Sequence, residues 1–243
     1  ADWSEPQWEK LLEDNLNLIQ VYLDAWLLLD NDSYQQVAAR TIDYVVEHLF
    51  DQGASAFCGS QGAHSEYFSL PSVLRRERPR PPVDPSCYAG VNAQAVSLLL
   101  DASWKLGRPA LESTALSVLA ALDTRAQAGD LTHVYGEAEA KGVPAFLGDW
   151  AHLLYALLAA HGHTAQETYL ERAKSVALQM VDRFFDHQNG GFFDIEADAH
   201  EDDAPAVGYL QLREKPLADN LAAVLGLLKL SQTTRNGDYR QLA

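Results

Sequence analysis

The feature that most constrains this chain is an internal repeat. When the sequence is shifted by 135 positions, 11 residues of the first copy are identical to their counterparts over 46 positions without a gap. They are Leu12, Asp14, Leu18, Leu23, Ala25, Tyr34, Ala38, Val46, Phe50, Asp51 and Phe57, and the counterparts run from Leu147 to Phe192. A chain that repeats at this scale is built from similar units packed against one another.

Two further copies extend the repeat. Near the end of the sequence, at an offset of 205 positions, Asp14, Asn15 and Tyr34 match Asp219, Asn220 and Tyr239. A weaker copy lies between the strong ones, where Asn92 follows Asn15 by 77 positions. The final copy stops shortly after Tyr239, so we expect the chain to be part of a longer protein.

Each copy predicts two helices. In the first helix, Leu12, Leu16, Ile19 and Leu23 recur at steps of three and four residues, which places them on one helical face. The cluster Asp30-Asn31-Asp32-Ser33 predicts a turn before the second helix. Later helices are expected at about 88–106, 110–126, 145–161, 166–186 and 217–234.

Long connections separate the helix pairs, at residues 52–87 and 187–216. Because Phe57 aligns with Phe192, both connections should start with a similar short extended or hairpin segment. Paired helices suit either an α-solenoid or an (α/α)6-type toroid, and solenoids usually have short, regular loops. The long loops, with their aromatic and charged residues, favour an all-α fold over 1–243, a toroid or a large part of one.

The charge balance excludes several classes of partner. There are 18 Lys and Arg against 34 Asp and Glu, so the net charge is 18 − 34 = −16. Such a chain repels phosphates, which argues against nucleic acid and against anionic membrane surfaces. No apolar run approaches the roughly 18 to 20 residues that span a bilayer. The first residues also lack the pattern of a signal peptide, so a cytoplasmic location is expected.

The cysteines give little functional signal. Cys58 and Cys87 lie in one long connection and match no metal-binding spacing. Thiols in a reducing cytoplasm are favoured, and a Cys58–Cys87 disulfide stays an alternative. Neither a metal nor an organic cofactor is expected.

Three motifs together resemble a known family. They are Leu12-Glu13-Asp14-Asn15, the segment Pro144-Ala145-Phe146-Leu147-Gly148-Asp149-Trp150-Ala151, and Phe184-Phe185-Asp186 followed by Gly190-Gly191-Phe192-Phe193. In their order and spacing they resemble the α/α-toroid domain of thioredoxin-domain-containing proteins of the spermatogenesis-associated protein 20 type. The resemblance covers roughly Leu12 to Ala243. It implies a six-hairpin glycosidase-like fold, related to that of the N-acylglucosamine 2-epimerases.

The chain also departs from the family pattern. The segment Gln61-Gly62-Ala63-His64-Ser65-Glu66 lacks both aspartates that the family carries there, and Val91-Asn92-Ala93 replaces a Trp-Asn-Gly motif. The thioredoxin-like part of the family is absent from these 243 residues. The resemblance therefore implies a missing thioredoxin-like domain or another protein as a possible partner, and the lost aspartates favour a non-catalytic domain.

The candidate catalytic residues are Asp14, Asp149, Asp219 and His133. The three aspartates occupy matched positions, and in a toroid such helix ends converge, as two-carboxyl sugar chemistry requires. The alternative is that each aspartate caps its helix, because structural roles recur in every copy. His133 lies in a loop leading toward Asp149, where it suits the acid/base chemistry of an epimerase or a structural role.

Candidate substrate-binding residues surround these positions. Trp150, beside Asp149, is expected nearest a cavity, where it would stack on a sugar, and Tyr67 lies on a long loop. The other candidates are Asn15, Asn92, Asn220 and Arg213. The arginine run at 75–80 suits an anionic sugar, or else a solvated loop paired with the acidic stretch at 194–203.

These observations predict a carbohydrate-active or sugar-binding domain. If it is an enzyme, it would use carboxylate or histidine acid/base chemistry of the glycoside hydrolase or sugar epimerase kind. The alternative is a non-catalytic interaction domain of a thioredoxin-containing protein, because one fold hosts many functions.

Overall fold

The computed structural model describes residues 7–136, 143–196 and 212–243. Contacts divide the chain into two compact units, residues 1–87 with 136–139 and residues 88–135 with 140–243. Long helices dominate the described residues, and the strands are two residues each, which confirms the all-α class. That residues 1–243 form a single domain stays a prediction.

The first unit contains one long helix pair followed by short elements. Its helices are α1 (Leu12–Leu29), α2 (Asp32–His48), α3 (Ser65–Phe68) and α4 (Ser72–Arg75), and its strands are β1 (Lys10–Leu11), β2 (Phe50–Asp51), β3 (Ala56–Phe57), β4 (Ser60–Gln61) and β5 (Val83–Asp84). Helix α1 packs on α2, and strand β4 pairs with both β1 and β5 in antiparallel register. At the predicted turn, the Asn31 side chain accepts the Ser33 N–H at 3.0 Å and caps α2. Cys58 and Cys87 are buried, and no disulfide joins them.

The second unit contains three successive helix pairs, the last one short. Its helices are α5 (Ala89–Lys105), α6 (Pro109–Ala128), α7 (Leu147–Thr164), α8 (Glu167–Phe184), α9 (Leu217–Thr234) and α10 (Asp238–Leu242). Strand β6 (Cys87–Tyr88) lies at the boundary between the units, and β7 (Val134–Tyr135) lies in the second unit. The five long helices predicted after the first pair begin and end within three residues of these bounds, so they are confirmed.

Helix composition explains the packing of the second unit. Helix α7 carries one acidic residue, Asp149, and three histidines in an otherwise largely apolar sequence, and it packs on both α5 and α9. Helix α8 is amphipathic, and it buries a stripe at three- and four-residue steps that includes Leu170, Ala173 and Phe184. A helix that is apolar nearly all round has to be covered, whereas an amphipathic helix can face water on one side. The first helices of the pairs therefore form the interior row, and α6 and α8 cover it.

The predicted hairpins after two helix pairs are present. Phe50 pairs with Phe57 in antiparallel register in the first unit, and Phe185 bridges Phe192 in the second. The ring centroids are 5.0 Å and 5.1 Å apart, respectively. Equivalent residues therefore make equivalent local structures, which confirms this prediction.

Candidate functional site

The start of helix α7 holds the most deeply buried carboxylate of the predicted site. Asp149 is the third residue of the helix, and its side chain is 3% exposed. Its Oδ1 accepts the Gly90 N–H at 2.7 Å, and its Oδ2 accepts the Phe146 N–H at 2.8 Å. Backbone donors and the positive end of the helix dipole stabilise the carboxylate in this position. Asp149 thus joins the first turn of α5 to the first turn of α7.

His133 is the third hydrogen-bond partner of Asp149. Its Nδ1 lies 3.0 Å from Asp149 Oδ2, and its side chain is 31% exposed. Because a buried carboxylate accepts hydrogen bonds, Nδ1 carries a proton and donates it to Asp149. The second ring nitrogen, Nε2, lies on the opposite edge of the ring. The backbone is also fixed, since the His133 carbonyl accepts the Ala89 N–H at 2.9 Å. The imidazole is thus held in one tautomer and one orientation, as in a base–orienter pair.

Two aromatic rings flank this histidine. The Phe146 ring centroid lies 4.6 Å from that of His133, and the Tyr88 centroid lies 5.6 Å from it. Burial lowers the pKa of His133, but the hydrogen bond to Asp149 and the charges of Asp149 and Asp219 outweigh it. The net result is a raised pKa, because the anionic neighbours stabilise the imidazolium.

Asp219 is the second carboxyl group of this cluster. It is the third residue of α9, and its Oδ1 lies 2.9 Å from the position that a Cβ on Gly148 would occupy. Burial raises the pKa of Asp219, and repulsion by Asp149 and Asp194 raises it further, against a weaker opposing effect of His133. The structure therefore brings Asp149, Asp219 and His133 together at the start of α7.

Two glycines make these approaches possible, and the sequence analysis missed both. Gly90 and Gly148 are the second residues of α5 and α7, and a Cβ on either would lie 2.9 Å from a carboxylate oxygen of the next inner helix. That distance is too short for a methyl group, so only glycine fits without a shift. The sequence contained a signal for these glycines, because they occupy matched positions of the repeat. Gly148 follows Gly90 by 148 − 90 = 58 positions, which is also the offset between the matched residues Asn92 and Trp150.

The three predicted asparagines have a shared structural contact. Each side-chain amide donates to the carbonyl four residues earlier: Asn15 to Leu11 at 2.6 Å, Asn92 to Tyr88 at 3.0 Å and Asn220 to Pro216 at 2.9 Å. Asn220 also accepts the Phe192 N–H at 2.8 Å and donates to the Phe192 carbonyl at 2.9 Å. These contacts explain why asparagine recurs at this position. The Asn220 side-chain amide is thus engaged in hydrogen bonds to backbone groups.

The stacking role predicted for Trp150 does not fit the structure. Trp150 is the fourth residue of α7, where the other copies have asparagine, and it is 2% exposed. The Arg183 guanidinium covers its ring at 4.8 Å from the centroid. Because the ring is buried, it presents no face on which a sugar could stack. Its position next to Asp149 in sequence is uninformative, since adjacent helical residues point in different directions.

The remaining predicted residues lie elsewhere. Arg213 donates from Nε to the Ile195 carbonyl at 3.1 Å and covers the Phe193 ring, so it has a structural contact in the second unit. Asp14 and Asn15 lie in the first unit, where Asp14 is exposed and both line a cleft of about 530 Å³. Tyr67 also lies in the first unit, on α3. Of the three matched aspartates, the second unit brings together Asp149 and Asp219.

Other histidines of the second unit are engaged in structural contacts. His152 Nε2 lies 3.0 Å from Gln94 Nε2, and burial lowers the pKa of His152 against an opposing effect of Asp149. His163 Nε2 lies 3.3 Å from Glu112 Oε2.

No group of three or more His, Cys, Asp or Glu within the described ranges could hold a metal ion. Nor does any helix in those ranges have the length and apolar character needed to cross a membrane. Much of the acidic stretch, residues 197–203, falls outside the described residues.

Solved structures share this fold at low sequence identity. A D-mannose isomerase matches over 97% of this chain and 58% of its own, with a TM-score of 0.72 and 14% identity. A cellobiose 2-epimerase from Spirochaeta thermophila matches over 95% and 55%, with a TM-score of 0.71 and 16% identity. An unsaturated glucuronyl hydrolase from Bacillus matches over 96% and 61%, with a TM-score of 0.70 and 14% identity.

These likenesses establish the fold as that of the α/α toroids, which confirms the predicted fold class. The chain spans between 55% and 61% of the length of those three structures. No protein-family model matches the chain, and a sequence comparison with curated proteins finds no match.

Proposed function

We propose that this chain is a carbohydrate-active domain that works by histidine acid/base chemistry on a small sugar. The observation that carries the proposal is the His133–Asp149 pair at the start of an inner helix, with the Tyr88 and Phe146 rings beside the imidazole. The isomerase, epimerase and hydrolase among the structures of the same fold support a sugar as the substrate class.

His133 is suited to move a proton. With Nδ1 hydrogen-bonded to Asp149, Nε2 of the neutral ring can accept a proton, and the carboxylate then stabilises the resulting imidazolium. The base would take the proton from a carbon next to the sugar carbonyl. Return of the proton by His133 to the former carbonyl carbon, with the hydroxyl proton of the neighbouring carbon passing to the acid, gives an isomer. An epimer forms when a second acid protonates the original carbon on its opposite face. The ring faces of Tyr88 and Phe146 are apolar surfaces of the kind that pack on the C–H face of a sugar.

Asp219 complements this base. Its raised pKa keeps a larger fraction of the group protonated at a given pH, so it can donate a proton or a hydrogen bond to an oxygen on which charge develops. Two carboxyl groups with different surroundings take different roles for this reason. We assign Asp149 to orienting His133 and Asp219 to the acid.

Proton transfer is favoured over glycoside hydrolysis by the state of Asp149. Hydrolysis with two carboxyls requires both to face the sugar, about 5 to 9.5 Å apart. Asp149 is 3% exposed, and both of its oxygens already accept hydrogen bonds from Gly90, Phe146 and His133. It is therefore poorly placed to act as the nucleophile or the base on a sugar.

The experiment that tests this proposal follows hydrogen exchange. The protein is incubated with aldoses and ketoses in deuterium oxide, and deuterium incorporation next to the carbonyl is measured by proton NMR. His133→Asn should reduce exchange on the order of 10²-fold or more, and Asp149→Asn should reduce it as well. His161→Asn, at the far end of α7, is the matched control and should leave the exchange unchanged.

Two outcomes would contradict parts of the proposal. Exchange that survives in His133→Asn would remove the histidine from the mechanism. Sugar-dependent thermal stabilisation without any exchange would leave a sugar-binding domain that carries out no proton transfer. The non-catalytic interaction domain is a separate alternative, for which the comparisons offer no support.

Two finer assignments belong with this proposal. We propose that the chain is related to the toroid domain of the thioredoxin-domain-containing proteins, on the motifs from Leu12 to Asn15 and from Phe184 to Phe193. A cytoplasmic location is proposed on composition and on the two cysteines.

A further inference from the structure

An arginine-lined cleft lies in the first unit, apart from the residues of the proposed sugar site. It has a volume of about 340 Å³, and its lining residues are Tyr67, Ser72, Arg75, Arg76, Arg78 and Arg80. Helix α4 ends at Arg75, and the turn that follows is closed by the Arg78 N–H, which donates to the Arg75 carbonyl at 3.2 Å. This short turn and the two residues after it bring four arginines to the lining of one cleft.

Ion pairs between described residues balance only part of the positive charge of this cleft. The Arg80 guanidinium lies 2.7 Å from His48 Nδ1 and 3.7 Å from Glu47 Oε1. The side chains of Arg80 and Glu47 are both largely exposed. No ion pair joins Arg75, Arg76 or Arg78 to any residue in the part of the chain that the structure describes. These arginines therefore form a local positive cluster in a chain of net charge −16.

One donor of the cluster is buried and unsatisfied. Arg75 Nε has essentially no solvent exposure and no hydrogen-bond partner among the described residues. A buried donor without a partner is unfavourable, so Arg75, which lines the cleft, has hydrogen-bonding capacity that the described residues leave unused. The charge of Arg75 also affects Lys10. Burial lowers the pKa of Lys10, and repulsion by the Arg75 guanidinium lowers it further.

We infer that this cleft binds the phosphate group of a small phosphorylated molecule. Guanidinium forks match the oxygens of phosphate and hold them through paired, charge-assisted hydrogen bonds. A dianion also compensates several arginines at once, which a single carboxylate does not. The volume lies in the range of small-molecule sites, and Tyr67 and Ser72 add a ring and a hydroxyl for the rest of the ligand. The inference is independent of the proposed sugar chemistry, whose residues belong to the second unit.

Calorimetric titration tests the inference directly. Inorganic phosphate, glucose 6-phosphate, glucuronate and glucose are titrated separately into the whole chain at low salt. Phosphate and glucose 6-phosphate should bind at one site per chain, and added potassium chloride should weaken both. Glucose should not bind at this site. Tighter binding of glucuronate than of glucose 6-phosphate would overturn the assignment to phosphate.

Variants locate the site on the chain. The double variant Arg75→Gln with Arg78→Gln should weaken phosphate binding at least tenfold. The matched control is Arg235→Gln with Arg240→Gln, which removes the same charge from exposed positions in the second unit and should leave the affinity within about twofold. Equal weakening in both double variants would show a general charge effect and overturn the inference, as would the absence of phosphate binding in the wild-type chain.

Chemical protection keeps the test independent of folding in the variants. Phenylglyoxal modifies accessible arginines in the wild-type chain, and mass spectrometry identifies the modified peptides. Phosphate should slow the modification of Arg76 and Arg78 and leave that of Arg235 unchanged. Equal rates with and without phosphate at all three arginines would overturn the inference.

Discussion

Helix α1 of the first unit and helix α7 of the second begin in the same way, yet their aspartates differ. Asp14 and Asp149 are both the third residue of the helix, and they align in the strongest part of the repeat. Asp14 is exposed, whereas Asp149 is buried and accepts hydrogen bonds from Gly90, Phe146 and His133. The difference teaches that matched positions in a repeat share a place in the helix and not a chemical environment.

The largest expected effect is the loss of the buried carboxylate. Asp149→Ala leaves the Gly90 and Phe146 N–H groups and His133 without their acceptor, and should lower the free energy of unfolding by about 3 kcal/mol. Asp14→Ala, at the matched exposed position, should change it by less than about 0.5 kcal/mol. Urea denaturation followed by circular dichroism measures both. Equal losses in the two variants would mean that Asp149 is a helix cap of the ordinary kind.

The asparagines provide a second test of the same comparison. Asn220→Ala removes two hydrogen bonds to the Phe192 backbone and one to Pro216, and should cost about 2 kcal/mol. Asn15→Ala removes one bond, to the Leu11 carbonyl, and should cost about 0.5 to 1 kcal/mol. The urea denaturation midpoint should therefore be lower for Asn220→Ala than for Asn15→Ala. A lower midpoint for Asn15→Ala would contradict the structure.

Glycine substitutions probe the approach of Asp149 to α5. A Cβ in Gly90→Ala would lie 2.9 Å from Asp149 Oδ1, so this variant should lose about 1.5 kcal/mol through the displaced carboxylate. Gly162→Ala, in α7 and with no atom within 4 Å of its Cβ position, should gain about 0.5 to 1 kcal/mol from helix propensity. Thermal denaturation compares the two, and stabilisation of Gly90→Ala would show that the site is looser than the structure indicates.

The smallest expected effect is a change in pH dependence. Because the pKa of His133 is raised in the folded chain, its stabilising contribution is full below the ordinary histidine pKa, about 6.5. The contribution is lost as the pH rises through the folded pKa. The stability difference between wild type and His133→Asn should therefore shrink as the pH increases above about 6.5. Introduced into Asp149→Asn, the same histidine substitution should change the pH dependence much less, and a full-sized change there would contradict the pairing.

Helical periodicity and the repeat predicted most of the fold. The apolar steps from Leu12 to Leu23 and the glycine and turn residues located the long helices, because these signals are local. The alignment of Phe57 with Phe192 predicted two similar hairpins for the same reason. The prediction for Trp150 failed because burial of a side chain depends on the helices that surround it. Gly90 and Gly148 were missed, since their role appears only where another helix approaches.

The sequence by itself determined that this chain is all-α, repeated and acidic, with aspartates near the starts of its inner helices. Only the tertiary structure decided which aspartate would become buried and which histidine it would hold. The physical reason is that helix formation depends on residues three and four positions apart, whereas the Asp149 site combines donors from Gly90, His133 and Phe146, which are up to 59 positions away in sequence.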